Sequence, residues 1–79
     1  MRLDKYLKTS RIIKRRTVAC EACDGGRVSV NGTEAKPAKI VKEGDIIEIR
    51  FGGKTLKLEV LSVKETVKKE EAASLYRII

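Results

Sequence analysis

Basic side chains are concentrated at the start of this 79-residue chain. The first 16 residues contain seven of the 18 Lys and Arg residues but only one acidic residue, Asp4, and the whole chain has a net charge of +7. A one-sided field of this kind concentrates an anionic partner and speeds its association. Apolar residues such as Leu3, Leu7 and Ile12 are interleaved with the charges, which is not typical of a disordered tail. The segment therefore predicts a folded surface for polyanions.

Cys20 and Cys23 form a CxxC motif, the second pattern that could carry chemistry. Such a motif can be a redox pair or half of a zinc site. A structural zinc ion generally takes four Cys or His ligands, and this chain has two Cys and no His. No strand is predicted ahead of the motif, as a thioredoxin-like unit would require. We interpret at least one thiol as a small buried apolar group, and we expect no metal and no other cofactor.

Composition argues against several other classes of protein. The chain has no His, no paired nucleophile and base and no phosphate-loop motif, so we do not expect an enzyme. No apolar run approaches the roughly 20 residues of a membrane helix, and "MRLDKYLK" lacks the apolar stretch of a signal peptide. We expect a cytoplasmic monomer without a membrane partner. The length allows one domain, residues 1–79.

Two short helices are predicted to position the basic residues. Leu3, Tyr6 and Leu7 form one apolar helical face, and Arg2, Lys5 and Lys8 recur on a different face. Ser10 would end this helix. Thr17 is predicted to cap a second helix, "VACEACD", which the pair Gly25-Gly26 would end.

Alternating patterns follow the glycines. "RVSV" before Asn31-Gly32 is typical of a hairpin, and the return strand would be short because Pro37 follows. "IIEIRF" and "KTLKLEVLSV" would pair across Gly52-Gly53, with one bulge or frame change predicted by the imperfect alternation. "KKEEAASLY" would form one or two helical turns, and "YRII" would return to the sheet. The predicted fold class is α+β: two short N-terminal helices packed on a small, mostly antiparallel sheet.

Three segments carry a resemblance to a known family: "RLDKYL", "RIIKRRTVACEACDGGRVSVNG" and "AKPAKIVKEGDIIEI". In order and spacing they resemble the RNA-binding domain first named for small ribosomal subunit protein four, also called the αL RNA-binding motif. The matching pattern is R-L-D, a basic residue and Thr at the second helix, then G-x-V-x-V-N-G and K-x-G-D. The motif core covers about residues 1–50, and residues 51–79 would complete the sheet and form a tail. The chain is similar to the free-standing small bacterial members of the family.

The resemblance also implies a set of RNA-binding residues. Arg16 is the main candidate, because cations at a helix N-terminus suit a phosphate. Asp4 is expected to orient a neighbouring Arg or to cap a helix, and Asn31 could simply form the turn. With one Phe, two Tyr and no Trp, the chain suits folded RNA better than stacked single strands. The implied RNA surface comprises Arg2, Lys5, Lys8, Arg11, Lys14, Arg15, Arg16 and Thr17 from the helices and Arg27, Asn31 and Lys36 from the hairpin.

The function implied by the resemblance is non-catalytic binding of the large ribosomal subunit. The implied partners are its rRNA, a tRNA or peptidyl-tRNA, and a quality-control protein that elongates the stalled nascent chain. In this role the chain would stabilise peptidyl-tRNA on an obstructed large subunit. A general ribosome-assembly or RNA-chaperone module is the alternative. A DNA-reading helix is disfavoured because "VACEACD" is small, apolar and acidic, whereas an adaptor for acidic proteins stays open.

Overall fold

The computed structural model describes residues 1–65 and 67–79. Two α-helices come first, four strands follow, and a 3₁₀ helix leads into a fifth strand. This confirms the predicted α+β class. The elements are α1 (Leu3–Thr9), α2 (Arg16–Asp24), β1 (Val28–Val30), β2 (Thr33–Glu34), β3 (Ile46–Phe51), β4 (Lys54–Val60), the 3₁₀ helix (Lys69–Leu75) and β5 (Tyr76–Ile78).

The five strands form one sheet in the order β2-β1-β3-β4-β5, and every neighbouring pair is antiparallel. Val30 lies opposite Ile47, and Ile47 lies opposite Leu58. Residues in register across strands share a face of the sheet, and all three of these residues are buried. They therefore mark the buried face of the sheet. This face meets the apolar side of α1, where Leu3, Tyr6 and Leu7 are fully buried.

The hairpin prediction is confirmed, and the bulge prediction is wrong. Asn31 has φ 53° and Gly32 φ 83°, the conformation that a two-residue hairpin turn requires and that this pair adopts readily. The ladder between β3 and β4 is continuous. The imperfect alternation arises because β4 ends at Val60, so the apolar residues after it belong to the following loop.

Two of the three predicted helix ends match the structure. Ser10 ends α1 and Gly25 ends α2, as predicted. The predicted N-cap of α2, Thr17, is wrong. The capping position is Arg15, with extended backbone (φ −119°, ψ 133°) and no capping bond from its side chain. Since the Ala19 N–H donates to the Arg15 carbonyl, Arg16 is the first helical residue and Thr17 lies within the first turn.

Both ends of the chain are tied to the rest of the structure. Near the start, the Leu3 N–H donates to the Lys39 carbonyl at 2.8 Å, and the Val41 N–H donates to the Met1 carbonyl at 2.9 Å. Near the end, the carbonyl of Leu75 accepts a 2.7 Å hydrogen bond from the buried hydroxyl of Tyr6. Burial raises the pKa of that hydroxyl, with a smaller effect from Tyr76, so it remains a donor. Within the described residues, no helix is long and apolar enough to cross a membrane.

Candidate nucleic-acid interface

An open groove of about 920 Å³ runs between α1, the turn after it, the start of α2 and the segment before the 3₁₀ helix. We call it the basic groove, because six of its lining residues are Lys or Arg and one is acidic. Clustered cations of this kind bind phosphates and displace their counterions. The lining residues are Lys5, Lys8, Thr9, Arg11, Lys14, Arg16, Glu65, Val67 and Lys69.

A buried carboxylate holds two arginines, of which Arg16 lines this groove. The side chain of Asp4 is 5% exposed, whereas those of Arg2 and Arg16 are 49% and 47% exposed. Asp4 accepts from Arg2 Nε at 3.2 Å, from Arg2 Nη2 at 3.3 Å and from Arg16 Nε at 3.4 Å. It also accepts from the Lys5 backbone N–H at 2.8 Å. The prediction that Asp4 orients a neighbouring Arg is thus confirmed.

This arrangement prepares the arginines to bind an oxyanion. A guanidinium has five N–H donors in a rigid fork. The contacts to Asp4 leave donors free on both Arg2 and Arg16, and about half of each side chain faces solvent. Because Asp4 already limits the freedom of the two side chains, less conformational entropy is lost when a phosphate is bound.

The turn between α1 and α2 presents further cations. Arg11 has φ 62°, a left-handed conformation that is uncommon outside glycine, and its N–H donates to the Lys8 carbonyl at 3.0 Å. Ile13 is buried at 7% exposure, and its N–H donates to the Leu7 carbonyl. Ile13 therefore anchors the turn, while Arg11 and Lys14 remain exposed at the groove.

The start of α2 adds the field of a helix N-terminus. Arg15 and Arg16 are exposed there, as is Thr17 in the first turn, and the first turn of the helix has no acidic residue. Unpaired N–H groups at a helix start favour an anion. The three predicted residues of this region thus lie together, although Thr17 does not cap the helix.

The hairpin residues of the predicted RNA surface lie apart from the basic groove. Asn31 and Lys36 line a second hollow of about 500 Å³ together with Lys39, which we call the hairpin hollow. Arg27 is exposed but lines neither hollow. The Asn31 amide donates to Asp45 Oδ1 at 3.1 Å, and its oxygen accepts from the Ile46 N–H at 2.9 Å. Asn31 therefore stabilises the turn and its junction with β3.

Sequence reasoning missed the contribution of the C-terminal segment. Glu65, Val67 and Lys69 line the basic groove, although residues 51–79 were predicted only to complete the sheet and form a tail. Glu65 Oε2 lies 3.2 Å from Lys5 Nζ, across 60 residues of sequence. No local pattern signals this contact, because it depends on how the two ends of the chain pack.

The two thiols have the properties of structural groups. Cys23 is fully buried, which confirms the interpretation of the CxxC motif, and burial raises its pKa to about 11. Burial and then the charge of Asp24 raise the pKa of Cys20, whose Sγ lies 3.8 Å from Asp24 Oδ2. Thiols that stay protonated at neutral pH are poor nucleophiles and poor metal ligands. In the part of the chain that the structure describes, no group of three or more His, Cys, Asp or Glu residues could hold a metal ion.

Comparison with known proteins gives three consistent similarities. The family model of the S4 domain matches residues 1–47. A protein named "RQC P-site tRNA stabilizing factor" from Streptococcus pneumoniae is 60% identical over 79 residues, which cover 100% of this chain and 90% of that protein. Its namesake from Halalkalibacterium halodurans is 59% identical over 78 residues, covering 99% of this chain and 89% of that one.

A solved structure shows the same fold. The trimeric Heat Shock Protein 15 of Vibrio cholerae superimposes with a TM-score of 0.91 at 35% sequence identity. The match covers 100% of this chain and 81% of that chain. The similarity thus extends over the sheet and the C-terminal segment as well as over the two helices.

Proposed function

This chain belongs to the S4 domain family, and from that premise we propose that it is a non-catalytic RNA-binding protein of the large ribosomal subunit. In this proposal it binds rRNA and stabilises a tRNA that carries a stalled nascent chain. Relatives at 59% and 60% identity, named for stabilizing a P-site tRNA in RQC, support this role. A protein that elongates the stalled chain is the further partner that the role requires.

The observation that carries the proposal is the pair of arginines held by Asp4, one of which, Arg16, lines the basic groove. Lysines on a protein surface attract any polyanion, whereas guanidinium groups held in position favour an oxyanion at a defined place. Arg16 lines the groove together with Lys5, Lys8, Arg11 and Lys14, so the groove offers donors for several phosphates. Phosphate contacts position a protein on a nucleic acid without reading its sequence.

The distribution of aromatic residues supports recognition of RNA by its shape. Single-strand binders stack bases on exposed aromatic rings. Here Tyr6 is fully buried, and no aromatic residue is among the described residues that line the groove. Phe51 is 44% exposed but lies at the end of β3, across a tight turn from β4. A folded rRNA segment with a fixed backbone path is the ligand that fits these contacts.

The experiment that tests the role is purification of the tagged chain from its native cell. We expect free large subunits that contain peptidyl-tRNA to co-purify. The Arg2→Ala/Arg16→Ala double variant should lose them, and Lys68→Ala, an exposed residue outside the groove, should retain them. Recovery of assembly intermediates without tRNA would favour the ribosome-assembly or RNA-chaperone function instead.

A further inference from the structure

One wall of the basic groove lies outside the part of the chain that the family model matches. The model ends at residue 47, and the wall consists of Glu65, Val67 and Lys69. Among the described residues that line the groove, Glu65 is the single carboxylate. A negative charge in a site for phosphates opposes binding, so its presence requires an explanation.

The wall is fixed to the helix that carries the groove's lysines. The carbonyl of Leu75 accepts from the Tyr6 hydroxyl at 2.7 Å, and it also accepts from the N–H groups of Leu61 and Ser62 at 2.8 and 3.1 Å. Leu75 and Ala72 are buried. The chain is thus tied down on both sides of Glu65, and Tyr6, the neighbour of Lys5 in α1, is one of the anchors.

The contact between Lys5 and Glu65 can be exchanged for a phosphate. Their charged atoms are 3.2 Å apart, and the two side chains are 36% and 69% exposed. Exposed pairs of this kind are weak, so a phosphate that reaches Lys5 can displace the carboxylate. Because the chain is held at Ser62 and at Leu75, a displaced Glu65 would stay near the groove and would repel phosphates that follow this wall.

We propose that Glu65 is a specificity-determining residue, an internal competitor that disfavours polyanions of the wrong shape. This inference rests on the proposed RNA-binding function. A charge placed against incorrect ligands creates specificity by repulsion. A regular duplex that lies along the groove passes Glu65 and is penalised. A folded RNA whose backbone reaches Arg2 and Arg16 and then turns away from the wall is penalised less.

The test compares Glu65→Gln with Glu70→Gln in binding to a mixed-sequence DNA duplex and to large ribosomal subunits. Glu70 is exposed and does not line the groove, so its substitution makes the same change in net charge. We expect Glu65→Gln to raise duplex affinity about three- to tenfold, the scale of one exposed ion pair with added repulsion. Affinity for subunits should rise by a smaller factor, so that selectivity falls. Glu70→Gln should leave selectivity unchanged.

A second pair of measurements identifies the mechanism. In a Lys5→Gln background, the gain from Glu65→Gln should shrink, since the displaced partner is absent. In the wild-type background, Glu65→Gln should steepen the salt dependence of duplex binding by up to about one phosphate contact. Additive effects of the two substitutions would contradict the competition.

Three outcomes would overturn the inference. Equal effects of Glu65→Gln and Glu70→Gln would mean that only net charge matters. Weaker binding of subunits by Glu65→Gln would mean that the carboxylate contacts RNA directly. Unchanged duplex affinity would mean that Glu65 does not compete at all. Failure of the proposed function would appear differently, as no binding of subunits by the wild-type chain, and the duplex measurement would still test Glu65.

Discussion

The basic groove and the hairpin hollow both present cations, but they use their buried polar groups differently. Beside the groove, Asp4 is buried and holds the side chains of Arg2 and Arg16. Beside the hairpin hollow, Asp45 is also buried, yet it accepts from the Lys42 backbone N–H at 3.0 Å and from Asn31. Asp4 thus positions side chains that can bind a ligand, whereas Asp45 stabilises the backbone and the turn at Asn31.

The two regions therefore differ in whether a buried carboxylate holds their cationic side chains in position. Within residues 1–65 and 67–79, Lys36 and Lys39 have no ion-pair partner. A lysine is a compact charge on a flexible stem, whereas an arginine held at its fork is preorganised. We therefore expect the groove to dominate affinity and the hairpin hollow to contribute mainly long-range attraction.

The largest expected effect is that of salt on the wild-type chain. If about five phosphates are contacted, affinity for large subunits should fall by roughly two to three decades between about 50 and 200 mM salt. Filter binding across this range measures the slope. Variants of groove cations should flatten the slope more than variants of Lys36 and Lys39. A nearly flat response of the wild type would point to an apolar interface with a protein.

Removal of one positioned arginine should have the next largest effect. Arg16→Ala loses a charge-assisted contact of about 1.5–3 kcal/mol, or roughly 10- to 150-fold in affinity for large subunits. The fold should persist, because the side chain is 47% exposed. Co-sedimentation measures binding and circular dichroism checks folding.

The matched control for Arg16 must avoid the groove wall. Lys68→Ala is suitable, since Lys68 is exposed and outside the groove, whereas Lys69 lines it. If Arg16→Ala bound like wild type while Lys68→Ala was released, the C-terminal segment rather than the start of α2 would carry the RNA surface.

Substitution of the carboxylate that positions the arginines distinguishes geometry from net charge. Asp4→Asn raises the net charge by one, which alone would strengthen binding of RNA. We expect the reverse, a loss of about three- to tenfold, because Arg2 and Arg16 are no longer held, together with about 1–2 kcal/mol less stability from weakened hydrogen bonds. Urea unfolding and subunit binding measure the two effects. Tighter binding would show that positioning is unimportant.

The smallest expected effect is that of the hairpin hollow. The Lys36→Ala/Lys39→Ala double variant should lose about threefold or less in affinity for vacant large subunits, in line with screened, unpositioned charges. Competition binding against wild type resolves a change of this size. A loss as large as that of Arg16→Ala would make the hairpin an equal part of the interface.

Sequence patterns predicted the structural features that depend only on residues close together in the chain. The helical face of Leu3, Tyr6 and Leu7 and the turn at Asn31-Gly32 are local features, and both are confirmed. The N-cap was misplaced by two residues, because backbone geometry rather than the side-chain preference of Thr17 sets the start of α2.

The rest of the candidate site depends on contacts between distant parts of the chain. Asp4 was expected to orient an arginine. Its contact with Arg16 spans 12 residues, a separation that neither helical nor strand periodicity predicts. The wall formed by Glu65 and Lys69 was missed for the same reason. Its place is set by tertiary packing near Tyr6 and Leu75.

The hydrogen bond between Tyr6 and Leu75 also sets the order in which the molecule can be completed during synthesis. Its two residues are 69 positions apart, so the donor is synthesised well before the acceptor. Non-local contacts of this kind form late, because the intervening chain must first be ordered. A nascent chain can expose the basic residues of α1 well before the wall with Glu65 is in place. The binding surface therefore gains its internal competitor only after residue 75 has emerged from the ribosome that makes the chain.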